Sequence, residues 1–251
     1  MKIIISPTKK MRVETDSLLW QNLPLFLEKT EQVYDVLRNL SKDELKKIWK
    51  CNDKIAALNV ERLQNMDLRC GLTPAILAYE GIQFQYMAPG IFTEAEFDYI
   101  QKHLRILSGF YGVLRPFDGV TPYRLEMQAK ISIAGKKDLY DFWGTTLAES
   151  LQAETGCILN LASKEYSQAV SKHLNGPVRW IDFVFGEVKN EKVVEKGTLC
   201  KMARGEMVRY LAENQIKDVE EVKGFDRLDF RYSKEYSKED IFVFIRNQEK
   251  Q

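Results

Sequence analysis

Basic residues concentrate in three short segments of this 251-residue sequence. Residues 1–12 hold four Lys or Arg and no acid, residues 101–137 hold seven against two acids, and residues 196–210 hold four against one. Guanidinium groups bind phosphate oxygens through paired N–H donors, and lysine supplies a point charge. If the segments meet in the fold, they line a positive cleft for phosphates or a duplex backbone. If they do not meet, they are scattered solvated faces.

The candidate phosphate contacts are Lys9, Arg105, Arg115, Arg124, Lys201 and Arg204. The central arginines stand among turn residues, where Gly109 and Gly112 would let backbone N–H groups approach a phosphate. The helix predicted to end at Leu107, with the turn after it, loosely resembles a helix-hairpin-helix element. A rival for that element is the Asn214–Phe225 region, and an ordinary glycine C-cap is the simpler interpretation of either.

A second group of polar residues follows a predicted buried strand. Asn160 and Ser163 stand between the strand Cys157–Leu161 and a helix that Ser163 would cap. Ligands bind at such strand ends in α/β folds, so both side chains are candidates for holding a polar ligand. Ser163 is equally well explained as an N-cap alone.

Three further residues offer catalytic chemistry. If the protein is an enzyme that acts on a nucleotide or nucleic acid, Glu126 or Glu165 is the candidate general acid/base. Tyr166 is then a candidate hydrogen-bonding group for the substrate. The simpler interpretation is that both acids anchor arginine side chains. The usual signatures of phosphate-binding loops, metalloproteases and esterases are absent from the sequence, so no catalytic residue is assigned.

Cysteine and histidine spacing gives no metal site. The four cysteines lie far apart with no CxxC, and the sequence has two histidines, His103 and His173. No metal ligands and no cofactor are predicted, although carboxylates leave direct iron binding open as a third hypothesis. The cysteines are expected to be reduced thiols. No apolar run approaches the ~18 residues of a membrane span, so a cytoplasmic protein without a membrane partner is expected.

The length fits one large domain or two small ones. Strands at both ends of the chain with helices between them predict one globular α/β (mixed α+β) domain over residues 1–251, with a mixed sheet surrounded by helices. A net charge of +1 excludes the class of proteins that cover DNA through a surface that is basic all round. A content of 45% hydrophobic residues excludes a disordered chain. The predicted strands are Lys2–Ser6, Cys157–Leu161, Val178–Val188, Lys192–Glu195, Arg227–Tyr232 and Asp240–Arg246. The predicted helical regions are Pro24–Met66, Ala75–Tyr79, Glu94–Leu107, Leu139–Ala153, a helix from Ser163 to Lys172, and Leu199–Asn214. The N-terminal strand is expected to pair with late strands.

Several blocks of the sequence match, in order, the motifs of one known family. They are Ile5–Lys9, His103–Pro116, Pro122–Met127, Lys137–Tyr140, Phe142–Gly144, Asn160–Ser163, Glu165–Tyr166 and Ala203–Gly205. With these blocks the chain resembles the YaaA peroxide stress protein family (UPF0246/DUF328 type) over essentially its whole length. Phe110 stands where the family commonly has Leu, which keeps the position apolar.

The resemblance implies a cytoplasmic bacterial protein of the hydrogen peroxide and oxidative stress response. It implies a mixed α/β fold with a positively charged cleft, a helix-hairpin-helix element, and non-sequence-specific binding of duplex or branched DNA. It also implies a role in DNA repair and in iron homeostasis, by which DNA damage that depends on iron would be limited. DNA is therefore the predicted partner, and an enzyme acting in the same pocket is the alternative.

Overall fold

The computed structural model describes residues 1–247, so residues 248–251 of the predicted domain lie outside the described part. The strands are β1 Lys2–Ile5, β2 Lys10–Met11, β3 Thr73–Pro74, β4 Tyr79–Glu80, β5 Leu104–Ser108, β6 Gly112–Leu114, β7 Gly119–Val120, β8 Cys157–Leu161, β9 Arg179–Lys189, β10 Lys192–Val194, β11 Phe230–Tyr232 and β12 Ile241–Arg246. The α-helices are α1 Leu27–Arg38, α2 Lys42–Trp49, α3 Asp53–Gln64, α4 Ala75–Ala78, α5 Ile82–Met87, α6 Glu94–His103, α7 Leu139–Trp143, α8 Thr146–Glu154, α9 Lys164–Ser171 and α10 Gly197–Glu213.

One mixed sheet organises the fold, with strand order β11-β12-β9-β8-β1-β5-β6 and β10 paired to β9. The five strands from β12 to β5 are parallel, and the outer strands β6, β10 and β11 are antiparallel to their neighbours. The three isoleucines of β1 are fully buried, as expected for a parallel strand covered on both faces. The predicted α/β class and the pairing of the N-terminal strand with a late strand, β8, are confirmed.

Local capping and turn chemistry fixes several predicted boundaries. Ser41 and Thr93 each begin a helix with a complete capping box, and their partners are Glu44 and Glu96. The hairpin between β9 and β10 turns at Asn190–Glu191, where both residues have positive φ, as a two-residue hairpin turn requires. These features depend on neighbouring residues only, and the predicted start of a helix at Glu94 agrees with the structure.

The prediction of one helix from Glu94 to Leu107 is wrong at its end. The helix α6 stops at His103, and the next five residues form β5, which is buried along its whole length between β1 and β6. Backbone pairing with β1 outweighs the apolar stripe that suggested a longer helix, because a buried backbone must have its hydrogen bonds satisfied.

The helix-hairpin-helix element proposed at the same place is also absent within the described chain. Strands β5 and β6 pair antiparallel with Ser108 opposite Gly112, so the segment is a β-hairpin. The rival region after α10 forms a short 3-10 turn, Glu220–Gly224, in place of a second α-helix. The predicted Leu139–Ala153 helix is likewise split at Gly144 into α7 and α8.

Helices α5 and α10 pack directly against one another. A Cβ placed on Gly205 of α10 would lie 2.9 Å from the backbone nitrogen of Met87 and closer still to the carbonyl oxygen of Gln83. Only a glycine permits this backbone approach. The contact sets residues of α10 beside residues of α5 at one end of the sheet.

Candidate functional site

A cleft of about 430 Å³ opens at the carboxyl ends of β1 and β8. It is lined by Ser6, Pro7, Thr8, Lys9, Lys10, Glu80, Gly81, Ile82, Gln83, Tyr123, Arg124, Leu125, Glu126, Ser163, Glu165, Tyr166, Lys201 and Arg204. Strands β1 and β8 are neighbours in the sheet. The next strand of this sheet in the chain after β1 is β5, which lies on one side of the pair, and the next after β8 is β9, which lies on the other side. Such a switch point, at the carboxyl ends of parallel strands, is where open α/β sheets bind ligands.

Two serines that line the cleft, Ser6 and Ser163, are hydrogen-bonded to each other. The Ser6 hydroxyl accepts the backbone N–H of Ser163 at 2.8 Å and donates to the Ser163 hydroxyl at 3.2 Å. Ser163 occupies the N-cap position of α9, yet its side chain makes no capping hydrogen bond within the described chain. The Ser163 hydroxyl is therefore held by Ser6 at the cleft and not by the backbone of α9.

All three basic segments reach this cleft, but each contributes only some of its members. Lys9 and Lys10 come from the first segment, Arg124 from the second, and Lys201 and Arg204 from the third. Three carboxylates, Glu80, Glu126 and Glu165, line the same walls. Five cations against three carboxylates leave the lining residues with an excess of positive charge.

Three buried donor atoms of the cleft residues have no hydrogen-bond partner among residues 1–247: Nε of Arg124, Nε of Arg204 and Nε2 of Gln83. Gln83 is 6% exposed. Neither arginine forms an ion pair within the described chain, and Arg124 makes one long bond, from Nη2 to the Trp49 carbonyl at 3.4 Å. Burial lowers the pKa of Arg204, which is the expected effect when a cation is desolvated without a close partner. Most buried polar groups are paired, so these cleft residues keep hydrogen-bond donors that the described chain leaves unsatisfied.

The cleft carboxylates do not hold the arginines. Glu126 pairs with Lys9 at 2.7 Å, and Glu165 accepts the backbone N–H of Gln128 at 3.2 Å. The expectation that both acids anchor arginine side chains is therefore wrong for residues 1–247. Burial, together with the nearby charge of Glu126, raises the pKa of Glu165.

Tyr123, one of the two tyrosines that line the cleft, is held in place by buried hydrogen bonds between hydroxyl groups. Tyr123 shares hydrogen bonds with Tyr79 at 2.9 Å and with Ser108 at 2.6 Å, and its ring stacks on Phe110 at 4.9 Å between centroids. Burial raises the pKa of Tyr123 to about 12 and that of Tyr166 well above its ordinary value. Both phenols therefore stay neutral and serve as hydrogen-bonding and packing groups at physiological pH.

Arg105 and Arg115 lie at the opposite end of the sheet. Arg105 is 5% exposed and binds Glu154, which also pairs with Lys2 at 2.8 Å. Arg115 pairs with Asp118 at 2.9 Å, and both arginines line a separate cavity of about 190 Å³. Because residues 104–108 form a strand that runs toward the cleft, Arg105 sits near the strand's start, away from the cleft.

The glycine turn and Asn160 have structural partners of their own. The Ser108 hydroxyl accepts the N–H groups of Phe110 and Tyr111, which are both buried, so the turn does not present these donors to the cleft. Gly109 instead packs against the backbone of residues 125–127, and Gly112 has a φ of 78°. Asn160 bonds Asp182 and the backbone N–H of Ala162.

Sequence reasoning did not single out Tyr123 and Gln83, which both line the cleft. Tyr123 lies inside the Pro122–Met127 block that matches the family motif, so the motif itself was a usable signal. Gln83 carries no local signal, because its burial depends on the contact between α5 and α10.

Comparison with known proteins decides the family. A family profile described as "Peroxide stress protein YaaA" matches residues 1–236. The chain belongs to the YaaA peroxide stress protein family. A "UPF0246 protein" of Lachnoclostridium phytofermentans is 54% identical over 248 residues, which cover 99% of this chain and 97% of the relative. Proteins of the same name from Agathobacter rectalis and Pediococcus pentosaceus are 54% and 51% identical, over 98% and 99% of this chain and 99% of each relative.

Membership of the YaaA family supports a role in peroxide stress. Five of the blocks that carry the resemblance supply cleft residues: Ile5–Lys9, Pro122–Met127, Asn160–Ser163, Glu165–Tyr166 and Ala203–Gly205. Within residues 1–247, no group of three His, Cys, Asp or Glu side chains is arranged to hold a metal ion. Every helix of the same residues is too short or too polar to cross a membrane.

Proposed function

We propose that this peroxide-stress protein binds DNA, duplex or branched and without sequence specificity, through phosphate contacts in the cleft. The observation that carries the proposal is the convergence of Arg124, Arg204 and Gln83, whose buried donors have no partner within residues 1–247. An unsatisfied buried donor costs about 1–3 kcal/mol, and more when it is charged. A phosphate oxygen would supply the missing acceptors and the missing negative charge.

The distribution of charge supports binding at one place. The whole chain carries a net charge of +1, so it has no general attraction for DNA. The positive groups of the cleft are therefore the feature that favours an anionic partner. Bound DNA would be shielded there from oxidants generated by iron, and this is how we propose that the protein helps to limit iron-dependent oxidative damage.

Fluorescence anisotropy with labelled duplex and four-way-junction DNA tests the proposal. Arg204→Ala and Arg124→Ala should each weaken binding to every sequence and lower the slope of log affinity against log salt concentration by about one. Arg38→Ala is the matched control, because Arg38 is an exposed arginine of α1 paired with Asp35. If both cleft variants bind as tightly as the parent protein, DNA phosphates do not contact this cleft.

One observation favours a second candidate, an enzyme that acts on a nucleotide or nucleic acid. Glu126 and Glu165 are not engaged with arginines within the described chain, and burial raises the pKa of Glu165, so this carboxyl is disposed to hold a proton. Incubation with damaged, bubble and junction DNA, with and without divalent metals, tests it. Strand cleavage or base release that Glu165→Gln abolishes would support an enzyme. The absence of any product under all conditions would count against it.

A further inference from the structure

We propose that the cleft receives a single unstacked nucleotide, with its phosphate on Arg124, Arg204 and Gln83 and its base against Tyr123 and Tyr166. This inference rests on the proposed function and names the unit of nucleic acid that the cleft recognises. A free nucleoside monophosphate and a nucleotide turned out of a DNA strand share this chemistry. The experiment below separates these two sources.

The size of the cleft favours one nucleotide over a length of duplex. Its volume of about 430 Å³ lies near the lower end of the range for small-ligand pockets, roughly 300–1,000 Å³. Proteins that bind a duplex through its backbone commonly contact about 6–10 phosphates. Arg124, Arg204 and Gln83 converge on one cleft and have donors enough for one or two phosphates. A double helix lying across the opening could place a backbone phosphate on these donors, but its paired bases could not enter the cleft.

The phosphate position follows from charge. Gln83 of α5 and Arg204 of α10 both line the cleft, and Arg204 is next in the chain to Gly205, where the two helices touch. Glu126 and Glu165 lie close enough to Tyr166 that the charge of each carboxylate raises the pKa of that phenol, and the charge of Glu126 raises the pKa of Glu165. A phosphate would be repelled from the carboxylates and attracted to the arginines, so it belongs beside Arg124 and Arg204.

The base position follows from the apolar and aromatic side chains. Pro7, Ile82 and Leu125 line the cleft together with the rings of Tyr123 and Tyr166. The Tyr123 ring is already fixed by stacking on Phe110 and by two hydroxyl hydrogen bonds, so little freedom is lost on contact with a ligand. Stacking of a base on an aromatic side chain tolerates any base, which agrees with binding that ignores sequence.

Carboxylates beside these rings suit the edge of a base. Exocyclic amino groups of bases donate hydrogen bonds that carboxylates accept. Glu126 and Glu165 lie next to Tyr166, so aromatic side chains and acceptors for a base edge lie on the same side of the cleft. A bare phosphate would use neither feature, and this separates a nucleotide from inorganic phosphate.

Anisotropy titrations with two labelled DNAs test the inference: a fully paired duplex, and the same duplex with one extra unpaired nucleotide. The bulged duplex should bind about tenfold more tightly, since its unpaired nucleotide is already unstacked. Deoxyadenosine monophosphate should compete with the bulged duplex at concentrations where inorganic phosphate does not. Tyr166→Leu should lose the preference for the bulge, whereas Tyr166→Phe, which keeps the ring, and Tyr236→Leu, outside the cleft, should retain it.

The outcomes separate the two proposals. Equal affinity for both duplexes, unchanged in Tyr166→Leu, would overturn the nucleotide pocket and leave phosphate-based DNA binding intact. Equal competition by inorganic phosphate would also overturn it, because the base would then contribute nothing. Binding of deoxyadenosine monophosphate without binding of either DNA would support the nucleotide pocket with a free ligand and refute the DNA-binding function.

Discussion

Replacing Gly205 by alanine tests how the cleft is assembled. Gly205 lies inside α10, where its added Cβ would meet the backbone of α5: the carbonyl oxygen of Gln83 and, at 2.9 Å, the nitrogen of Met87. Ordinary contacts between such atoms are about 3.5–4 Å, so the helices must separate by roughly 1 Å. Because Gln83 and the neighbouring Arg204 both line the cleft, this separation would also move their donors apart.

The magnitude is the balance of two effects. Alanine in place of glycine stabilises a helix interior by about 1 kcal/mol, through its lower backbone entropy in the unfolded chain. Overpacking of a closely packed contact costs about 1–3 kcal/mol, and a backbone contact falls at the upper end because no side chain can move aside. We expect Gly205→Ala to lower the free energy of unfolding by about 2 kcal/mol, because an overpacking cost of about 3 kcal/mol exceeds a helix gain of about 1 kcal/mol. In a chain of this length, that lowers the melting temperature by roughly 4–8 °C.

Thermal unfolding followed by circular dichroism measures the effect. Gly197→Ala is the matched control, because Gly197 is the first residue of the same helix and nothing lies within 4 Å of its added Cβ. The control should melt at or slightly above the parent temperature. A Gly205→Ala protein that melts as high as the Gly197→Ala protein would refute the backbone contact between α5 and α10, and with it our account of how Arg204 and Gln83 come to line one cleft.

Three further predictions follow from charges in the structure. Arg204→Met should raise the melting temperature while it weakens DNA binding, because it removes a desolvated cation that has no ion pair among residues 1–247. A lower melting temperature would show that the arginine stabilises the fold. Glu165→Gln should strengthen DNA binding severalfold at neutral pH, because it removes a negative charge from the cleft. The parent protein should approach the affinity of the variant as pH falls through the raised pKa of Glu165, and titration of DNA at a series of pH values below neutral measures both. Burial raises the pKa of Asp118 to about 6 from 3.8, so the folded state keeps a proton that the unfolded chain releases. The resulting stability, about 3 kcal/mol, is present below pH 3.8 and lost as pH rises through 6. Urea midpoints between pH 4 and 7 should therefore fall with rising pH more steeply in the parent protein than in Asp118→Asn, and parallel curves would contradict the raised pKa.

The sequence by itself determined the parts that depend on neighbouring residues. The capping boxes at Ser41 and Thr93, the hairpin turn at Asn190–Glu191 and the buried strand β1 were readable because each depends on a few adjacent side chains. The ordered motif blocks likewise identified the family without any coordinates.

Tertiary structure alone decided which cations share a site. Arg105, Arg115 and Arg124 look alike in the sequence, yet the first two lie in ion pairs at one end of the sheet and the third lies in the cleft at the other. Arg105 lies at the start of β5 because α6 stops just before it. The position at which α6 stops is set by the long-range pairing of β5 with β1. Gln83 joined the site only through the approach of α5 to α10 at Gly205, a contact between residues more than a hundred positions apart. Local patterns contain no record of such contacts, because they form only when distant parts of the chain are packed together.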